Sequence, residues 1–146
     1  MDPLFVEILA VLGFFLSIYA LYVKHRKKKN PLYKPLCDIR ENISCTKAFA
    51  SEYSELTALP NMISGIVFYA LVFAAAWFKL TLVVTALSFL AVLLSCYLGY
   101  VSYYQQKNYC VVCSAVYFVN VLILVSSLLW VVLELGVNDI KKYIYP

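Results

Sequence analysis

Two pairs of cysteines carry the chemistry this sequence can perform: Cys110 and Cys113, within Tyr109-Cys110-Val111-Val112-Cys113, and Cys37 with Cys45. Thiols at i and i+3 are neighbours on a helix and can pair, as in other Cys-x-x-Cys redox sites. Lys107 is the last charge before Glu134, so Cys110 and Cys113 open an uncharged run. That run exceeds the roughly 20 residues needed to cross a bilayer. At 100° per residue, Cys110, Cys113, Tyr117 and Asn120 fall in a stripe about 80° wide. Thiols, a phenol and an amide on one face of an apolar helix need polar partners, because unsatisfied polar groups are costly in hydrocarbon. Cys110, near the helix start, meets the positive end of the helix dipole, which favours thiolate.

A second stripe combines Asn61, Ser64, Gly65 and Phe68. An amide at the mouth, a small residue behind it and an aromatic below suit a flat ligand with a carbonyl edge, such as a quinone. Each of these residues also has a plainer reading. Cys-x-x-Cys builds zinc knuckles as well, although the valines between the thiols and the membrane boundary argue against metal, and no metal ligand is assigned. Cys37 and Cys45 alone fit a structural disulfide. Tyr117 and Asn120 fit helix–helix hydrogen bonds, and Asn61 a helix cap. Cys96, alone in mid-span, reads as a small buried hydrophobe.

The elements that position these groups follow from composition. Of the 146 residues 64% are apolar and 14% charged, against roughly 25% charged in soluble domains. Eight of the 12 basic residues lie between Lys24 and Lys47, so the formal charge of +4 is local and nucleic-acid binding is excluded as a reading. Asp2 and Glu7 precede the first apolar run and the basic cluster follows it, the reverse of a secretory signal. The first run is therefore expected to be retained.

Four spans are expected, at about 4–23, 61–78, 81–104 and 109–133. The chain 1–146 reads as one domain, an all-α integral membrane protein: a four-transmembrane-helix bundle with one long loop, 24–60, after the first helix. Tyr19 and Tyr22 suit the interface, and the basic run from Lys24 to Lys29 suits a lipid-headgroup anchor. Short amphipathic helices are expected in the loop, for instance around Ala48 to Leu56. With four spans, the long loop and the turn before the last span share a side, so all four paired cysteines face one compartment.

The sequence also resembles the vitamin K epoxide reductase family. The resemblance rests on Ser17-Ile18-Tyr19-Ala20-Leu21-Tyr22-Val23-Lys24, Leu36-Cys37-Asp38-Ile39, Ile43-Ser44-Cys45 and Phe49-Ala50-Ser51. It continues through Asn61, Gly65-Ile66-Val67-Phe68-Tyr69 and Tyr109-Cys110-Val111-Val112-Cys113 with Tyr117 and Asn120. It implies a four-helix bundle around a quinone (ubiquinone, menaquinone or vitamin K), with Cys110 and Cys113 as the active centre. Cys113 would lie nearest the quinone and form the charge-transfer or adduct species with it. Cys110 would exchange with Cys45, and Cys37 with Cys45 would shuttle electrons from a partner. Asn61 and Tyr117 would hydrogen-bond the quinone oxygens, and Phe68 would pack on the ring. Ser51 matches a position that helps order the loop beside the site.

Two departures from the family shape the expected function. The segment from Cys45 to Asn61 is shorter than in the animal epoxide reductases, whose extra residues help cap the site. No thioredoxin-like domain follows the fourth span, so a separate thioredoxin-fold partner is expected. The reading is a quinone-dependent dithiol/disulfide oxidoreductase that supports disulfide bond formation. A vitamin K epoxide reductase proper and a non-enzymatic four-span protein with one structural disulfide are the alternatives. Its thiol face is expected to be exocytoplasmic, in the periplasm or the endoplasmic reticulum lumen, as in relatives with a basic run after the first span. Charge argues the opposite: nine basic residues on the thiol side against three (Lys79, Lys141 and Lys142) on the other favour a cytoplasmic thiol face.

Overall fold

The computed structural model of the chain describes residues 4–40, 42–51 and 60–144, with 137–144 described by backbone alone. Among the described residues five α-helices follow in order: α1 (Leu4–Lys29), α2 (Cys45–Ala50), α3 (Asn61–Trp77), α4 (Thr81–Tyr100) and α5 (Val111–Ile144). A π-helical turn, Val101–Gln105, continues α4. Leu4–Lys29, Thr81–Gln105 and Val111–Gly136 are long and apolar enough to cross a membrane. The shorter α3 has 17 apolar-rich residues, the lower end of the usual spanning length of about 17–25.

Each long helix turns a stripe of small or branched residues inward. On α1 the buried positions are Val6, Leu9, Ala10, Gly13, Ser17, Ala20 and Val23, the three- and four-residue spacing of one helix face. On α4 they are Thr81, Val84, Ser88, Ala91 and Ser95. Large side chains such as Phe15, Trp77, Leu82 and Phe118 point outward. This arrangement is inverted relative to a water-soluble bundle and suits a hydrocarbon solvent.

α1 packs most extensively on α3 and then on α5, while α4 packs on α5 and much less on α3. Two apolar clusters result. One, around Leu9, Tyr69, Val72, Val84 and Ile123, lies towards the end away from the thiols. The other, around Val23, Cys37, Cys45, Phe49, Met62 and Cys110, closes the thiol end. The turn from α3 to α4 is a Schellman motif, with Leu80 N–H on Ala75 O at 2.8 Å and Lys79 N–H on Ala76 O at 2.9 Å. Lys79 takes the left-handed conformation (φ 56°) that this motif requires.

Two expectations change, the end of the first helix and the burial of Cys96. α1 does not end near Val23 but continues through the basic run to Lys29, since Lys and Arg are good helix formers and suit the negative helix end. Within that run Lys27 Nζ donates to Pro31 O (2.7 Å) and Tyr33 O (3.2 Å), and Arg26 lies over the Tyr22 and Tyr33 rings. The loop helix covers Cys45–Ala50, and the expected continuation to Leu56 lies outside the described residues. Cys96 is exposed rather than buried, because it stands one residue, about 100°, past the inward-facing Ser95.

Candidate functional site

The site begins where two helix N-termini converge. α5 starts at Val111, so Cys110 precedes the helix and caps it. Its carbonyl accepts from Ser114 N–H at 3.0 Å, and its sulfur accepts from Cys113 N–H at 3.2 Å. Sulfur here takes the place that a hydroxyl or carboxylate oxygen takes in ordinary caps. α2 starts at Cys45 and is capped by Ser44, whose Oγ accepts from Lys47 N–H at 3.2 Å.

Asp38 secures the α2 end. Its carboxylate accepts from Ser44 Oγ (3.0 Å), Thr46 N–H (3.1 Å) and Thr46 Oγ1 (2.5 Å). Burial alone would raise this carboxyl, but the hydrogen bonds from Thr46 and Ser44 outweigh it and hold Asp38 below the ordinary carboxylate value.

Asn108 locks the loop to α5. Its amide donates to Ser44 O at 2.7 Å and accepts from Ser44 N–H at 3.2 Å, while Tyr109 N–H donates to Asn42 O at 2.8 Å. A short parallel bridge between Ile43 and Tyr109 completes the joint. These bonds fix a cysteine of the loop against a cysteine 65 positions later: the Cys45 and Cys110 sulfurs are 3.6 Å apart.

The contact extends in both directions. Cys37 lies beside Cys45 and the Tyr19 phenol, and the Cys110 sulfur lies beside Cys113. Five groups thus form a line: Tyr19, Cys37, Cys45, Cys110, Cys113. The four cysteines of this line carry free thiols in this structure. Among the described residues, no three Cys, His, Asp or Glu side chains converge on a point that a metal would take. Burial, and then its hydrogen bond to Cys45, pushes the Cys37 thiol from 9.0 up to about 12. The Cys45 thiol is pushed up as well, first by its hydrogen bond with Cys110 and then by burial.

Cys113 is half-buried and opens into a cavity of about 500 Å³ among α1, α3, α4, α5 and the underside of α2. Asn61, Ser64, Phe68 and Tyr117 border it, as does Ser51 at its roof. Ser51 terminates α2, donates to Ala48 O at 2.8 Å and accepts from Gln106 Nε2 at 3.0 Å. Asn61 is not the helix cap: Pro60 holds that position, without a side-chain bond, and Asn61 opens the first turn. Phe68 meets Tyr69 edge-on, with ring centroids 5.1 Å apart. Gly65 has a second duty, because an added Cβ would stand 2.8 Å from Ser17 Oγ where α3 approaches α1. Asn120 accepts from the Tyr69 hydroxyl and donates to Ser95, so its helix–helix reading holds.

The four thiols and the five expected binding residues therefore gather at one end of the bundle. Sequence reasoning did not single out Asp38, Asn108, Tyr69, Gln106 or the Tyr19–Cys37 contact as parts of this site. Tyr69 lies two helical turns beyond Asn61, about 80° round the helix, which was the one local signal for it. The Asn108 joint has no local signal, since its partner Ser44 is 64 positions away.

The Vitamin K epoxide reductase family profile matches residues 4–128. The chain is 29% identical to "Vitamin K epoxide reductase complex subunit 1" of Mus musculus, over 82% of this chain and 84% of the mouse protein. It is 28% identical to the Rattus norvegicus protein of the same name, over 77% of this chain and 80% of that one.

Proposed function

This chain belongs to the vitamin K epoxide reductase family, and from that premise we propose that it is a four-span membrane enzyme coupling dithiol oxidation to quinone reduction in support of disulfide bond formation. The observation that carries this reading is the line of thiols from Cys37 through Cys45 and Cys110 to Cys113, ending at a largely apolar cavity.

The cavity fits a quinone ring. At about 500 Å³ it falls within the 300–1,000 Å³ common for small-molecule sites. Phe68 offers an apolar face, while the Asn61 amide and the Tyr117 phenol offer donors for carbonyl oxygens. When bound there, a quinone would accept two electrons and two protons.

The thiol steps balance as exchanges. A thioredoxin-fold partner's thiolate attacks the Cys37–Cys45 disulfide, and the partner's second thiol resolves the mixed disulfide. The partner leaves oxidised, and Cys37 and Cys45 remain as thiols. Cys45 then attacks Cys110 of the Cys110–Cys113 disulfide and expels Cys113 as thiolate. Cys37 resolves the Cys45–Cys110 bond, so the loop disulfide returns and Cys110 and Cys113 are left as the dithiol. That dithiol yields its two electrons and two protons to the acceptor and closes again. Each step needs a thiolate approaching in line, and roughly 30 mV of potential difference is worth about 1.4 kcal/mol for a two-electron couple. The α5 N-terminus stabilises thiolate at Cys110 when exchange occurs.

The test is quinone reduction by purified protein with dithiothreitol as donor. Cys113→Ala abolishes it, whereas Cys37→Ala spares it because a small dithiol bypasses the loop; equal loss in both variants sinks the relay. A second reading, reduction of vitamin K epoxide itself, draws support from the names of the mouse and rat relatives. Turnover of the epoxide set against ubiquinone and menaquinone separates the two. The thiol face is placed on the exocytoplasmic side in this proposal, and labelling of intact cells with an impermeant thiol reagent checks it.

A further inference from the structure

Three buried polar side chains tie together helices that the cavity otherwise holds apart. Tyr69 of α3 donates its hydroxyl to Asn120 Oδ1 of α5 at 2.7 Å, and Asn120 Nδ2 donates to Ser95 Oγ of α4 at 2.9 Å. The Ser95 hydroxyl donates in turn to Ala91 O at 2.7 Å. Every proton direction is fixed by donor type: a phenol gives to a carbonyl, an amide gives to a hydroxyl, and that hydroxyl gives to the backbone.

All three side chains are more than nine-tenths buried, and all three border the cavity. α3 and α5 are not close-packed neighbours, and α3 meets α4 sparingly. The Tyr69 ring also presses on Gly13 of α1, where an added Cβ would collide with it. One side chain therefore references α3 to α1 and α5, and through Asn120 to α4. Along α5 the level of Asn120 is seven residues, about 10 Å, below Cys113.

We propose that Tyr69, Asn120 and Ser95 form a cross-brace that fixes the width and floor of the cavity, and so selects the acceptor by the size of its ring. In the terms of the thiol–quinone reading, on which the choice of occupant rests, these are positioning residues: they keep a ring beside Cys113 rather than touching the reacting sulfur. A braced cavity holds a single-ring benzoquinone and a fused-ring naphthoquinone with different fit, and an unbraced one loses that distinction. The brace acts on the free protein and needs no ligand to exist.

The experiment uses Tyr69→Phe, which keeps the ring on Gly13 and removes the hydroxyl alone, together with Ser95→Ala, which cuts the opposite end. Steady-state kinetics are measured with a benzoquinone and a naphthoquinone. The expected result is a rise of about fivefold in KM for the better-fitting quinone, the factor that follows from losing one buried hydrogen bond. The KM ratio of the two quinones should narrow, and kcat should change less than twofold. Separately, spin labels introduced as non-natural residues at the exposed positions Leu71 on α3 and Leu93 on α4 report helix separation without any quinone. Their distance distribution should broaden in both variants. A KM ratio equal to the parent's in both variants, or an unchanged label distance, overturns the brace. A parent protein that reduces neither quinone, while its label distance still responds to Tyr69→Phe, rejects the thiol–quinone reading and retains the brace as a determinant of cavity width.

Discussion

The sulfurs of Cys45 and Cys110 stand 3.6 Å apart at the meeting of two helix starts, although 65 positions separate the residues in the chain. A disulfide bond would need about 2.05 Å, so the pair is in contact and unbonded. Small movements of the α2 start suffice to join them. With Cys37→Ser and Cys113→Ser combined, the resolving thiols on both sides are gone, and mild oxidation should trap a Cys45–Cys110 crosslink in most molecules. Peptide mass mapping under non-reducing conditions checks it, and crosslinking of Cys45 to Cys96 instead would contradict the observed geometry.

Asn61 borders the cavity and does not occupy the cap position of α3. Asn61→Ala should therefore raise the apparent quinone KM by about tenfold, the cost of one lost hydrogen bond in a dry site, with little loss of thermal stability. Unchanged quinone kinetics beside a lowered Tm would assign Asn61 a structural duty only.

Asn108 joins the loop to the start of α5 through a two-way bond with Ser44. Its replacement by Ala removes both bonds, while Ser44 N–H keeps Tyr109 O at 3.1 Å and Ser44 O keeps Ala48 N–H at 3.4 Å, so the cost is about 0.5–1.5 kcal/mol per bond lost. Because the joint aligns Cys45 with Cys110, Asn108→Ala should slow electron entry from a protein dithiol by more than tenfold. Reduction of quinone with dithiothreitol should hardly change. Stopped-flow measurements with the two donors distinguish these effects, and equal slowing with both would remove Asn108 from the relay.

The loop should open at both ends of the pH scale. Asp38 is held below its ordinary value, so its contribution is present above that value and is lost as pH falls through the folded one. Cys37 is held above its ordinary value of 9.0, at about 12, so its contribution is intact below pH 9.0 and declines from there towards about 12. The protection of the amides around Thr46 from hydrogen exchange, taken relative to their intrinsic rates at each pH, should therefore be greatest near neutrality. Asp38→Asn should flatten the acid limb, and an acid limb identical to the parent's would exclude Asp38 as its source.

The sequence made the inward faces of the apolar helices legible because a bilayer allows few alternatives: long uncharged runs must be helical and must hide their polar groups. For the same reason Tyr117 and Cys113 could be put on one helix face from spacing alone. Cys110 could not be handled this way, since the wheel treats it as helical whereas it stands before the first turn as a cap. Cys96 was misread because a lone cysteine says nothing about which side of its helix faces the neighbours. Asp38 and Asn108 stayed hidden for another reason. Their partners are set by how the loop folds back on α5, and no periodic pattern encodes that.

One feature of the thiol line bears on the economy of the surrounding compartment. Cys37, Cys45 and Cys110 are 8%, 0% and 2% exposed, while Cys113 alone opens, and it opens towards the apolar cavity. A charged, water-soluble thiol such as glutathione can reach none of the first three without displacing the loop, and the cavity repels it from the fourth. The proposed relay would thereby be an insulated wire. Under the proposed function, reducing equivalents would enter where a protein can pry the loop away and leave on the lipid side, and the cell's free thiol pool would be kept from short-circuiting the two ends.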